Sequence, residues 1–177
     1  YLNGIKQSSD SLLVIINDIL DISKIEAGKV ELEHEPFSVV ELVHNVHTIM
    51  QFRAKKKGLE LLKDIPAENL TVQGDATRLR QILLNLIGNA IKFTEKGFVS
   101  IKIDKILLDK DLKKQRLKFT VEDTGIGISE EGQLKIFDKF AQADDSTTRK
   151  FGGTGLGTSI AKSFVELMGG TILVESE

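Results

Sequence analysis

The chain has 177 residues, 41% hydrophobic and 28% charged, with a formal net charge of −2 and no cysteine. That length holds one full domain plus a smaller element, and the charge leaves no electrostatic footprint for nucleic acid. The missing cysteines exclude a disulfide framework and a thiolate zinc site, no apolar run approaches the about 18 residues of a membrane span, and the first residues do not follow a signal-peptide pattern.

The first helical stripe is Leu2, Ile5, Leu12, Leu13, Ile16, Ile19, Leu20 and Ser23, ended at Ala27-Gly28-Lys29. It predicts a helix that is already under way where the chain starts, as in a piece of a longer protein, with Gly28 just past its cap. Val14, Ile15, Ile22 and Ile25 widen the apolar surface, so this helix expects partners on more than one side. A coiled coil or helical bundle fits that need, and a plain buried helix is the alternative. Val30–Phe37 reads as a strand that Pro36 ends or confines to an edge. Ser38-Val39-Val40-Glu41 is a capping box, with Phe37 and Leu42 placed as a hydrophobic staple. A helix is therefore expected from Val39 to Lys57, closed by Gly58. Leu59–Ile65 reads as a strand broken by Pro66, and Thr71–Gly74 as a short strand or turn.

From Asp75 to Thr94 the apolar residues Leu79, Ile82, Leu83, Leu86, Ile87, Ala90 and Ile91 follow an amphipathic helical stripe. Asn85 and Asn89 stand four apart with Lys92 three further on, so two amides and an ammonium share one helical edge. Asparagine is a poor helix-interior residue because its amide competes with the backbone. An amide oxygen can ligand magnesium and a lysine can meet phosphate. The plainer alternative is an ordinary polar surface edge. Gly97 turns the chain. Phe98–Ile106 and Arg116–Asp123 then read as an antiparallel pair joined by the charged turn of residues 107–115. Ser129–Phe137 is a short helix capped by Ser129. Residues 141–153, polar and without periodicity, have the length of a functional loop. Thr158–Met168 is helical, Gly169-Gly170 ends it, and Thr171–Glu175 reads as a last strand.

Two glycine motifs carry chemistry. Asp123-Thr-Gly-Ile-Gly-Ile128 follows a strand, and its glycines allow a flat ligand to approach the backbone. Asp123 offers a carboxylate to an exocyclic amine, a bond worth roughly 1.5–3 kcal/mol. Gly152-Gly-Thr-Gly-Leu-Gly157 opens a helix whose first amides suit an anion. It is no dinucleotide fingerprint, because a long polar loop and not a strand precedes it, and there is no phosphate loop of the GxxxxGK[ST] kind.

The order NxxxNAxKF, DxGxGI, FDKF and GGTGLG resembles the N, G1, F and G2 boxes of the ATP-binding domain of sensor histidine kinases. Upstream, NDILDISKIEAGK is similar to the second helix of that family's dimerisation and phosphotransfer hairpin, and FAQADDSTTRKFGGTGLG resembles the lid of hybrid kinases. The resemblance runs from about Ser9 to Glu177. It implies an α+β fold, a two-layer α/β sandwich of the Bergerat ATP-binding type with a mixed sheet packed on helices, preceded by one long helix. Residues 1–28 would be the hairpin remnant and 29–177 the catalytic domain, without its final strand and so with an open sheet edge.

By the same resemblance, Asp123 takes the adenine amine, Gly125 and Gly127 frame the base, and Phe93 lies near it. Asn89 ligands Mg2+ with Asn85 beside it, and Lys92 meets phosphate. Gly153, Thr154, Gly155, Leu156 and Gly157 form the phosphate-side hinge of the lid, and Arg149 and Lys150 reach toward the γ-phosphate. In the gyrase-like branch the position of Asn85 carries a glutamate that activates water. An amide is no general base near neutral pH, so phosphoryl transfer to a side chain is expected over rapid hydrolysis.

The family's acceptor lies in an HExRTP motif, and none exists here. His34 falls in the expected strand, and His44 and His47 in the helix from Val39. Thr158 stands where many members have leucine. The resemblance implies the ATP-binding core of a histidine kinase that binds ATP or ADP with Mg2+. Its partners would be the acceptor helix of its parent, a receiver domain or response regulator, and a second copy through the N-terminal helix. It implies no nucleic acid, no membrane contact from this stretch, and a cytoplasmic location. The alternative is a non-catalytic nucleotide-binding module that dimerises with and regulates a partner kinase.

Overall fold

The computed structural model describes residues 2–109, 114–139 and 155–176. Residues 140–154 include Arg149, Lys150, Gly153 and Thr154 and nearly all of the expected lid, which therefore lie outside the described residues. The chain divides into two compact units, Glu33–Ile128 and Tyr1–Leu32 with Ser129–Ser176.

Glu33–Ile128 contains β1 (Glu35–Ser38), α2 (Val39–Lys56), β2 (Glu60–Asp64), β3 (Thr71–Gly74), α3 (Ala76–Phe93), β4 (Phe98–Asp109) and β5 (Lys114–Asp123). β1 and β3 form an antiparallel ribbon, while β2, β4 and β5 form a mixed sheet with β4 in the middle, parallel to β2 and antiparallel to β5. Helices α2 and α3 pack on each other and on this sheet, giving two layers. Val99, Ile101 and Ile103 alternate into the core, as a half-buried strand requires. From α2 come Val39, Leu42, Val43, Val46, Met50 and Ala54. From α3 come all of the expected stripe except Leu86, which is half-buried. Each fully buried aliphatic side chain contributes roughly 1.5–3 kcal/mol.

The helix ends form as the sequence dictates. Ser38 Oγ accepts the Glu41 amide at 3.2 Å. Asp75 Oδ1 accepts the Arg78 amide at 2.8 Å while its Oδ2 takes the Glu33 amide at 3.2 Å, so one buried carboxylate caps α3 and ties down the segment before β1. The end of α2 is a Schellman motif: the Gly58 amide bonds the Lys55 carbonyl and the Leu59 amide that of Ala54.

Two expected strands differ. The one expected over Val30–Phe37 is confined to Glu35–Ser38, because its partner β3 is only four residues long. His34 thus precedes the strand and is exposed. Thr171–Glu175 forms no strand. A ladder needs a partner, and no described strand pairs with it. The Gln133 side-chain amide holds the Ser176 carbonyl at 3.1 Å instead.

The other unit contains α1 (Leu2–Glu26), α4 (Glu130–Lys135) and α5 (Gly157–Leu167), with α1 packed on α5. α1 ends in the same Schellman pattern at Gly28, and Lys139 pairs with Glu26. Leu12, Leu13, Val14, Ile16, Ile19 and Leu20 of α1 are exposed. No helix among the described residues is long and apolar enough to cross a membrane.

Candidate functional site

The site begins at the C-terminal half of α3. Asn85, Asn89 and Lys92 recur at helical spacing and all three are half-buried. The Lys92 ammonium lies 4.6 Å from the centroid of the Phe93 ring, a cation–π distance. Burial holds the Lys92 ammonium below the usual lysine range, since desolvation disfavours the charged form. A phosphate group beside it would reverse that effect.

α3 ends at Thr94, whose backbone is extended and whose amide bonds the Ala90 carbonyl at 3.0 Å. Thr94 is fully buried. Its hydroxyl lies 2.8 Å from the Ala90 carbonyl and 3.3 Å from Oδ1 of Asp123. The end of the asparagine-bearing helix therefore meets the end of β5, where the candidate base-binding carboxylate stands. Asp123 itself is exposed, and its Oδ1 accepts the Gly125 amide at 2.8 Å.

Glycine is required at two positions here. A Cβ on Gly125 would stand 2.6 Å from Asp123 Oδ1 and 2.8 Å from the Phe93 carbonyl oxygen, closer than side chains approach backbone. A Cβ on Gly97 would stand 2.2 Å from Thr124 Oγ1, and its φ of +107° is a conformation other residues rarely adopt. Thr124 fills that space and knits the turn together. Its Oγ1 accepts the Phe98 amide at 3.1 Å and lies 3.2 Å from the Lys96 carbonyl. Gly127 follows with φ +70°.

The glycine-rich stretch at the start of α5 is described from Gly155 onward. Gly155 has φ +69°, Leu156 is buried, and Gly157 is the first residue of the helix. Thr158 donates to the Ile136 carbonyl at 2.7 Å. That bond gives Thr158 a structural role at the start of α5.

Two of the three histidines have structural partners. His47 is buried with its Nε2 3.0 Å from the Leu61 carbonyl, which fixes α2 on β2. His44 Nδ1 lies 2.7 Å from the Lys63 ammonium. Sequence reasoning missed Thr94, Thr124 and Lys57, whose ammonium bonds the carbonyls of Ile91 and Lys92. The signal for Thr94 was present: a short β-branched hydroxyl directly after the Lys92-Phe93 pair.

The family model described as histidine kinase-, DNA gyrase B- and HSP90-like ATPase matches residues 74–177, a range that holds Asn85, Asn89, Lys92, Asp123 and the glycine-rich stretch before α5. The chain belongs to this ATPase family. Within it, the chain is an ATP-binding catalytic domain of the two-component histidine kinase kind, as its relatives indicate. Hybrid signal transduction histidine kinase L of Dictyostelium discoideum is 47% identical over 180 residues, covering 100% of this chain and 10% of that protein. Signal transduction histidine-protein kinase BarA of Escherichia coli (strain K12) is 45% identical over 178 residues, covering 100% of this chain and 19% of that protein. Among solved structures, full-length ShkA in complex with AMPPNP superposes with a TM-score of 0.79 at 34% identity, over 99% of this chain and 36% of that one. The ATPase domain thus spans a minor part of the length of the kinases it resembles.

Proposed function

We infer that this domain binds Mg-ATP and, within a longer hybrid histidine kinase, places the γ-phosphate for transfer to a histidine of the parent, from which it passes to an aspartate of a receiver domain or response regulator. The observation that carries this reading is the meeting of α3 with β5: the helix bearing Asn85, Asn89 and Lys92 ends at a threonine 3.3 Å from Asp123. On this reading Asp123 offers a carboxylate to the adenine amine, Gly125 and Gly127 a glycine-lined approach for the flat base, and the C-terminal half of α3 amides and an ammonium for the phosphates. The resemblance to histidine kinases assigns Gly155, Leu156 and Gly157 at the start of α5, with Gly153, Thr154, Arg149 and Lys150 before them, to the phosphates.

The donor set suits magnesium carried in by nucleotide. Asn89, with Asn85 beside it, supplies neutral amide oxygens, and no group of three or more His, Asp or Glu residues forms a cage among the described residues. Magnesium is commonly held by few protein ligands together with substrate phosphates and water. When bound it neutralises charge on the β- and γ-phosphates. The chain's own residues do the rest. Asp123 orients the base, Lys92 draws the phosphates, and Asn85, lacking the basicity to deprotonate water, leaves the γ-phosphate for a side-chain nucleophile. Residues 1–28 belong to the dimerisation hairpin, through which two copies associate, and 29–177 to the catalytic domain, working in the cytoplasm.

The test is titration with ATP with and without magnesium, followed by γ-labelled ATP in the presence of a hairpin carrying the acceptor histidine. Magnesium-enhanced binding and acid-labile label on the supplied helix are expected. The 177-residue chain alone should bind nucleotide, hydrolyse it slowly and label none of His34, His44 or His47. Nucleotide binding with no transfer to any supplied hairpin would favour the non-catalytic module that regulates a partner kinase. Label on one of the three histidines would overturn the assignment of the acceptor to another segment.

A further inference from the structure

Asp123 is exposed, and an exposed carboxylate on a broad two-fold χ2 torsion would present either oxygen to a ligand. Here it is held. Oδ1 accepts the Gly125 amide at 2.8 Å and stands 3.3 Å from the Thr94 hydroxyl. Among the described residues, Oδ2 takes no hydrogen bond. The two donors come from different places: Gly125 from the turn after β5, and Thr94 from the buried end of α3, 29 residues earlier in the chain. Thr94 is itself fixed. It is fully buried, β-branched, and held by its amide to Ala90. Its single hydroxyl proton has two acceptors in reach, the Ala90 carbonyl at 2.8 Å and Asp123 Oδ1 at 3.3 Å. The Thr94 amide already satisfies that carbonyl, and a carboxylate is the stronger acceptor.

We propose that Thr94 is a positioning residue for base selection: its hydroxyl, with the Gly125 amide, occupies Oδ1 of Asp123 so that Oδ2 faces the exocyclic amine of adenine. The inference rests on Asp123 being the adenine acceptor. If Thr94 acted only as the cap of α3, losing its hydroxyl would destabilise the fold and weaken every nucleotide alike. If it aims the carboxylate, the loss falls on nucleotides that carry the 6-amino group.

The experiment measures binding of ATP and of purine riboside triphosphate, which lacks that amine, to wild type, Thr94→Val, Thr94→Ala and Thr94→Ser, with thermal unfolding of each. Wild type should prefer ATP. Thr94→Val should lose about 3- to 10-fold in ATP affinity, the worth of one hydrogen bond, and leave purine riboside triphosphate binding unchanged. Thr94→Ser should restore the preference. Thr94→Ala gives the same reading without the extra methyl if the valine variant does not fold. Equal losses for both nucleotides in the hydroxyl-free variants, or an undiminished preference, would overturn the inference while leaving Asp123 as the acceptor. No preference in wild type would remove Asp123 from base recognition, and the role of Thr94 with it.

Discussion

The Lys57 ammonium lies 2.8 Å from the Ile91 carbonyl oxygen and 2.6 Å from that of Lys92. Both carbonyls belong to the last turn of α3, where the helix dipole is negative. A lysine just past the end of α2 thus closes the helix that carries the candidate magnesium and phosphate residues. Replacing it with methionine keeps the stem and removes the charge. Lys57→Met should cost about 1–2 kcal/mol of stability, read as a lower urea midpoint at unchanged slope. It should also weaken ATP binding, because Lys92 and Phe93 sit on the freed turn.

Asp123→Asn tests the base contact with little disturbance of the fold. The asparagine carbonyl can still accept the Gly125 amide. Its NH2 then faces outward, a donor against the adenine amine. A loss of roughly 1–3 kcal/mol in ATP affinity is expected, measured by calorimetric titration at constant magnesium. Equal affinities of the two proteins for ATP and ADP would take Asp123 out of the site.

For Asn89→Ala the magnesium dependence should suffer more than the binding itself. A methyl group cannot ligand a hard cation that demands oxygen. Wild type should gain ATP affinity on addition of magnesium and the variant should gain little. A wild-type gain in the variant would reassign the ligand.

Lys92 gives a pH signature. Its ammonium is held below the ordinary lysine range by desolvation, and a bound phosphate favours the charged form. Nucleotide binding therefore raises its pKa. ATP affinity should fall as pH rises through the free-state pKa and level off above the bound-state value, with proton uptake in that alkaline window. Titrations in buffers of different ionisation enthalpy measure the uptake directly. Lys92→Met should abolish it.

The local pieces were legible in the residues. The Ser38 cap, the Gly28 and Gly58 closures and, Leu86 apart, the buried stripe of α3 formed where expected. Each is set by residues within about five positions of one another. The order of the nucleotide motifs was legible for the same reason. Strands fared worse. β1 came out shorter than its sequence pattern, and Thr171–Glu175 formed none. A strand exists only when a partner supplies the other half of its ladder, and pattern alone does not name that partner. Tertiary structure alone decided that Thr94 reaches Asp123, that Lys57 closes α3, and that Gly97 must yield its side-chain space to Thr124. These contacts join residues 27 to 35 positions apart, and no local periodicity encodes them. They depend on the packing of α2 and α3 on one sheet, which brings the end of one element to the side chain of another.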